Sequence, residues 1–351
     1  MQTDPSGLSP SIPGSHRHHV GGPGLADIAP TDGTTRDDSA IRGGAAGSIA
    51  QVLELDADVM AEHLQAVIAW MPVHGAPARI VDLGAGTGAG TFALLRAFPA
   101  ATVTAVDSSA EHLELLRDRA RREGLEHRVR TLEVDLDAPD WPDLGRPDLV
   151  WASASMHHLA DPDRAIRTVR EALEPKGLFV VLELSGMPRF LPPDAPESRP
   201  GLEERSHAAL APATTAHMPH RGADWAPKLT AAGLDVAAHL PLDVTIESAR
   251  SDAIGPYALA VFTGLRRASA GLLPAEDVEA LDELLDTAGP HSILDRSDLT
   301  LRTTRRVWAA RKPARVDGPG GYASFSAAAE AANCERVLGN RRHGLGADVR
   351  G

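Results

Sequence analysis

Cysteine is almost absent from this 351-residue chain; the single one is Cys334. An intrachain disulfide is therefore excluded, and the composition suits a reducing compartment such as the cytoplasm. Aromatic residues are scarce too, at 4%. That argues against the stacked aromatic platforms that hold single-stranded bases. Positive charge is in deficit: 35 Lys and Arg face 48 Asp and Glu, a net charge of −13. A polyanionic backbone would be repelled, so nucleic acid is not an expected partner. Long apolar runs are missing as well. The first 30 residues hold no signal-peptide core, and no stretch approaches the ~20 apolar residues of a membrane span. The expectation is a soluble, cytoplasmic protein without a membrane partner. At 43% hydrophobic residues, the chain still has material for a full core.

What the chain does have is a glycine-rich turn in a telling place. The run Ala78-Arg79-Ile80-Val81 leads into Asp82-Leu83-Gly84-Ala85-Gly86-Thr87-Gly88-Ala89-Gly90-Thr91, and Phe92-Ala93-Leu94-Leu95 follows in a helical pattern. Strand, glycine turn and helix in that order predict a nucleotide site. Glycine allows a sharp turn and a close ligand approach, and the helix start offers free N–H groups. Further strands end in polar groups. Thr102 to Val106 ends in Asp107, where a carboxylate can accept both hydroxyls of a ribose. Val129 to Val134 ends in Asp135, placed to reach an adenine amino group. Asp148 to Ser153 ends in a turn containing Met156-His157-His158-Leu159. Strand tips are where open α/β sheets bind ligands.

Two nucleotide readings are open at this point. Gly84, Gly86 and Ala89 also fit G-x-G-x-x-A, with Asp107 then holding the ribose of NAD. That reading leaves Asp82, Asp135 and the His-His turn unused. It also predicts more parallel strands after the fifth, where this chain has a long insert.

Taken together, the residues from about Ala78 to Pro313 resemble the class I S-adenosylmethionine-dependent methyltransferases, in particular their small-molecule branch. Asp82-Leu83-Gly84-Ala85-Gly86-Thr87-Gly88 is similar to the family's first motif. Ser155-Met156-His157-His158-Leu159-Ala160-Asp161-Pro162 is similar to its turn after strand four. Glu174-Pro175-Lys176-Gly177-Leu178 is similar to its fifth-strand motif, with Lys176 where glycine is commoner. The resemblance implies a Rossmann-like, doubly wound α/β sheet of seven strands, the last antiparallel, with helical inserts lidding the site. It implies S-adenosyl-L-methionine as cofactor and a small-molecule acceptor. The cofactor contacts it implies are Asp82, Gly84, Ala85, Gly86, Gly88, Asp107, Ser108, Asp135, Leu136 and Ser153. His158, and less strongly His157, are the candidate catalytic bases, because imidazole titrates in the useful range. Glu183, His207, His217, His220 and Trp225 are weaker candidates. Solvation or packing explains most of these; His207, in particular, reads as a surface helix position. No metal site is expected. A non-methylating enzyme or a binding protein with the same pocket is the remaining alternative.

The chain divides readily. Residues 1–48 are rich in Gly, Pro, Ser, Thr and Asp and read as a disordered tail; His16, His18 and His19 fall there. Residues 49–313 form the expected domain, with substrate-covering inserts at 185–221 and 246–298. Residues 314–351 read as a loose tail. Asp56 is the expected N-cap of a leading helix carrying Met60, Leu64, Val67, Ile68 and Met71. Ser108-Ser109-Ala110-Glu111 and Asp161-Pro162 announce two crossover helices. A helix after Pro274 should turn Val278, Leu281 and Leu285 inward.

Overall fold

The computed structural model describes residues 48–314. The calls on the two tails, including His16, His18, His19 and Cys334, lie outside the described residues apart from Ser48 and Ala314. Two helices lead, α1 (Ile49–Val59) and α2 (Ala61–Trp70). An alternating series follows: β1 (Arg79–Leu83), α3 (Ala89–Ala97), β2 (Thr102–Asp107), α4 (Ala110–Arg122), β3 (Val129–Glu133), β4 (Leu149–Ser153), α5 (Pro162–Ala172) and β5 (Leu178–Leu184). Then come α6 (Leu202–His217), α7 (Ala226–Ala231), β6 (Asp235–Glu247), α8 (Ile254–Ala268), α9 (Ala275–Leu285) and β7 (Thr300–Arg311).

The seven strands form one sheet in the order β3-β2-β1-β4-β5-β7-β6. β1 to β5 are parallel, whereas β7 runs antiparallel to both of its neighbours. This is the expected sheet, and its antiparallel end departs from the further parallel strands of the dinucleotide reading. The central strands are continuous apolar runs because helices cover both faces. Alternate residues feed two cores. Ile80, Leu149 and Trp151 pack with Val67, Phe92 and Leu95 on one face; Val81, Val150 and Phe179 pack with Ile166, Val169 and Leu229 on the other.

The Asp161 cap forms as expected; the other falls one residue later than a Ser108–Glu111 capping box would place it, at Ser109. Ser109 accepts the His112 N–H at 3.2 Å, and Asp161 accepts that of Arg164 at 2.9 Å ahead of Pro162. Lys176 adopts φ +67°, a left-handed position that favours glycine. That accounts for the glycine commonly found there.

Three expectations need correction. The leading helix starts at Ser48, whose hydroxyl accepts the Gln51 N–H, and breaks at Met60. Asp56 lies within α1, and its carboxylate is used elsewhere: it accepts from Tyr257 Oη at 2.8 Å and from Arg305 Nη2 at 2.5 Å. On α9 the buried face carries Asp277, Ala280, Leu281 and Leu284, so it is rotated from the apolar reading. The cause is Asp277, drawn inward by two arginines: Arg199 Nε lies 2.6 Å and Arg205 Nε 2.9 Å from its oxygens. His207 is buried on α6 rather than exposed.

The inserts share a third core. Phe190, Leu202 and Leu210 pack with Tyr257, Phe262, Leu281 and Leu301. The Asp277 cluster pins α9 to the start of α6 beside that core. Its arginines hold the Asp277 carboxyl below the usual carboxylate range. The stabilisation is thus present above the ordinary carboxylate pKa and lost as pH falls through the lowered one. Asp277→Ala is expected to lower unfolding free energy at neutral pH by about 2 kcal/mol, read from urea denaturation. An unchanged midpoint would remove this cluster from the stability of the lid.

Candidate active site

The site is built at the carboxyl ends of β1, β2, β4 and β5. The loop after β1 turns at Gly84 and folds onto β2: the N–H groups of Gly84 and Ala85 both donate to the Val106 carbonyl, at 2.8 and 2.9 Å. Gly84 has φ +67°, and a Cβ there would lie 2.3 Å from Ser155 Cβ. Position 84 is therefore bare so that the turn after β4 can press on the loop. Ser155 Oγ donates to the Leu83 carbonyl at 2.8 Å and completes that contact. Gly88 has φ +98°, and a Cβ would meet Phe92 at 2.7 Å and Leu116 at 2.9 Å. At Gly86 a Cβ would meet only Leu53, at 3.3 Å. Of the three glycines, Gly86 is the one whose missing side chain leaves room toward the open loop.

Asp82 is buried at 2% exposure and accepts a hydrogen bond from Thr91 Oγ1 at 2.7 Å. Burial, outweighing the Thr91 hydrogen bond and reinforced by the nearby Asp107 charge, pushes its carboxyl up to about 7. Such a group is incomplete without a cation. Gly90 keeps the space beside it open, since a Cβ there would lie 2.8 Å from Trp151 Nε1 and 3.1 Å from Asp82 Oδ2.

Asp107 closes the loop from the other side. Its Oδ2 accepts the Gly86 N–H at 2.8 Å, its Oδ1 accepts the Ser109 N–H at 2.9 Å, and His112 Nδ1 stands 3.5 Å away. Burial opposes its charge, but these hydrogen bonds outweigh burial and hold the carboxyl below its usual range. Oδ2 retains an open lone pair. Ser108 is exposed beside it. Asp135 is exposed and accepts the Asp137 N–H at 2.8 Å; Leu136 is buried. Asp137, not singled out in the sequence, accepts the Ala160 and Asp161 N–H groups and ties this rim to the turn after β4. Ser153 lines a small cavity of about 50 Å³ with Asp56, His63, Gly90 and Arg305. His63 Nδ1 and Arg305 Nε are buried there without partners among the described residues. A polar cavity of that kind takes ordered water or the end of a ligand.

The two histidines separate sharply. His157 is 1% exposed, and its Nδ1 lies 2.5 Å from Glu183 Oε2 on β5. Glu183 is also buried; its Oε1 accepts the Met156 N–H at 2.8 Å. A carboxylate only accepts, so Nδ1 carries a proton and Nε2 is the ring nitrogen turned away from Glu183. Arg221 Nη2 stands 3.4 Å from that Nε2. His158 is exposed and rests on the His157 ring, centroids 4.2 Å apart. Partial desolvation, with the neighbouring His157 and Arg221, lowers its pKa to about 4. The geometry thus favours His157 over His158 as a proton acceptor. Among the weaker candidates, Trp225 is fully buried, and His220 stacks edge-on against it at 6.3 Å. His217 is tied to the Ala213 carbonyl. Among the described residues no cluster of three or more His, Cys, Asp or Glu side chains could hold a metal.

Beyond Arg221 opens a chamber of about 500 Å³. It is walled by the first insert and α8, including Ser185, Met187, His207, Met218 and Leu265. Its link to the His157 turn is Arg221, which lines it and stands beside His157.

Residues 80–177 match the methyltransferase domain family. Over these residues the chain is similar to that family. The match takes in β1 through α5, the stretch that carries the glycine loop, the strand-end acids and the His157 turn. Relatives align over the same region. Demethylmenaquinone methyltransferase of Thermus thermophilus is 37% identical over 114 residues, covering 32% of this chain and 50% of that protein. A malonyl-[acyl-carrier protein] O-methyltransferase of Laribacter hongkongensis is 31% identical over 116 residues, covering 32% and 39%. The 23S rRNA (uracil(1939)-C(5))-methyltransferase of Chromohalobacter salexigens is 33% identical over 160 residues, covering 45% and 31%. The chain spans about half or less of the length of the curated relatives it matches.

The raised pKa of Asp82 has a measurable sign. The folded protein binds that proton more tightly than the unfolded chain, so stability falls as pH rises from about 4 through about 7. Asp82→Asn is expected to abolish this dependence and to stabilise the ligand-free protein by on the order of 2 kcal/mol at pH 8, with little change at pH 4. Urea titrations at the two pH values decide it; equal shifts at both would contradict a buried, raised carboxyl.

Proposed function

We propose that this protein transfers a methyl group from S-adenosyl-L-methionine to a small-molecule acceptor, with His157 as the general base. The observation that carries the reading is the buried Glu183–His157 pair, which presents Nε2 on a turn pressed against the glycine loop. When bound, the donor supplies an electrophilic methyl group on a positively charged sulfur. Asp82 would pair with its amino group, relieving the strain of a buried, half-protonated carboxyl. Asp107 would accept from the ribose and Asp135 from the adenine. Gly84, Ala85, Gly86 and Gly88 shape the loop, and Ser108, Leu136 and Ser153 line its margins.

His157 then removes the acceptor's proton at Nε2. Glu183 holds the ring in that tautomer and stabilises the imidazolium that forms. Alignment of the acceptor against the donor provides much of the acceleration in such a displacement. The size of the chamber, about 500 Å³, and the net charge of −13 favour a small acceptor over RNA. Among the described residues no helix is long and apolar enough to cross a membrane. The single cysteine supports placing the protein in the cytoplasm.

Calorimetry with S-adenosylhomocysteine and, separately, NADH tests the cofactor. Binding of the first alone is expected, weakened at least about tenfold by Asp107→Ala. Binding of NADH alone would overturn the reading. For the base, labelled methyl donor is offered with a panel of small phenols, acids and amines. His157→Gln should cut turnover about a hundredfold with S-adenosylhomocysteine affinity retained, and His158→Gln should do far less. The reverse ranking would move the base to His158.

A further inference from the structure

Arg221 stands in the wall of the chamber without an ion-pair partner among the described residues. The chain after α6 brings it there: the Arg221 N–H donates to the Met218 carbonyl, and Gly222 turns back to donate to the Leu184 carbonyl at the tip of β5. Its guanidinium is half-buried. One terminal nitrogen, Nη1, meets the Met187 sulfur at 2.5 Å, a weak acceptor; the other stands 3.4 Å from His157 Nε2. Nε is buried and has no partner. Among the described residues Arg221 forms no ion pair, and Glu183, the acid whose charge it feels most, is already engaged by His157. A planar fork of five donors set against a thioether and an imidazole is poorly satisfied. Placing a cation this way costs stability unless something else completes it. By contrast Arg189, also in the chamber wall, pairs with Glu204 at 3.0 Å.

The rest of the chamber is mainly apolar, with Met187, Leu210, Met218, Val261 and Leu265 in its walls. We propose that the chamber binds an apolar small molecule through an acidic oxygen, that of a carboxylate, phenol or enol, which Arg221 receives next to His157. This rests on the methyl-transfer reading for its consequence, not for the binding itself. An oxygen held there would accept from the guanidinium while facing Nε2. Arg221 would thereby lower the pKa of a bound hydroxyl and make an imidazole a competent base for it.

Two probes with one aromatic body test this directly: 8-anilinonaphthalene-1-sulfonate, which carries an anionic oxygen group, and N-phenyl-1-naphthylamine, which lacks it. Fluorescence titration of the full chain should show the anionic probe binding about ten- to a hundredfold more tightly. Arg221→Met should erase that preference while leaving the neutral probe's affinity unchanged. Arg221→Lys should restore part of it. Arg267→Gln, on the exposed side of α8 at the same chamber, should keep it. Equal affinity for the two probes in the wild type would overturn the proposal. So would a preference that survives in Arg221→Met or disappears in Arg267→Gln. Should Arg221→Met fail to fold by circular dichroism, the charge-keeping Arg221→Lys and the neutral Arg221→Gln give the same comparison. S-adenosylhomocysteine calorimetry on the same samples separates the two ideas. A missing cofactor signal with an intact probe preference would sink methyl transfer and leave the anion site standing.

Discussion

The site depends on the contact between Gly84 and Ser155. Two loops from different strands meet at a point where neither could carry a larger group: one lacks a side chain, the other has a small hydroxyl that donates to Leu83. Because they touch, the position of the glycine loop sets the position of the turn bearing His157. Asp107 fixes the far side of the same loop through the Gly86 N–H, and Glu183 fixes the far side of the turn. The glycine loop and the His157 turn are thereby one rigid object, built across the tips of four neighbouring strands.

Rigidity there contrasts with unfinished electrostatics. Among the described residues Asp82 is an acid buried without a cation, and Arg221 a base set without an anion. Each is unfavourable in the empty protein, and each is relieved by a ligand of the opposite sign. A cationic donor and an acidic acceptor fit that pattern better than two neutral molecules would.

The parts of this design that were legible in the sequence are those whose cause is local. Gly84 and Gly88 need positive φ, Asp161-Pro162 starts a helix by itself, and β1 and β4 are apolar runs with buried neighbours on both sides. Asp82, Asp107 and Asp135 were marked by standing at strand ends. What stayed hidden arises from contacts between distant segments. Asp56 looks like a cap until Arg305 and Tyr257, on β7 and α8, claim its carboxylate. Asp277 breaks an apolar helical face because two arginines of the first insert reach it. His157 and His158 are indistinguishable as letters; only Glu183, from the next strand, tells them apart. Arg221 followed no motif, since its meaning lies in what is missing around it.

The second insert leaves and re-enters the sheet at a single rung, for Glu247 and Thr300 face one another as the last pair of the β6–β7 ladder. The segment between them, α8 and α9 included, starts and ends at two backbone points already held close together, and the third core and the Asp277 cluster fix it elsewhere. Lengthening or replacing such an excursion adds little closure entropy, because the ends are joined whatever lies between. The twelve-rung ladder below need not shift its register. One side of the chamber, the α8 side, is thus carried on a segment whose two ends the sheet has already joined, while its other side belongs to the first insert.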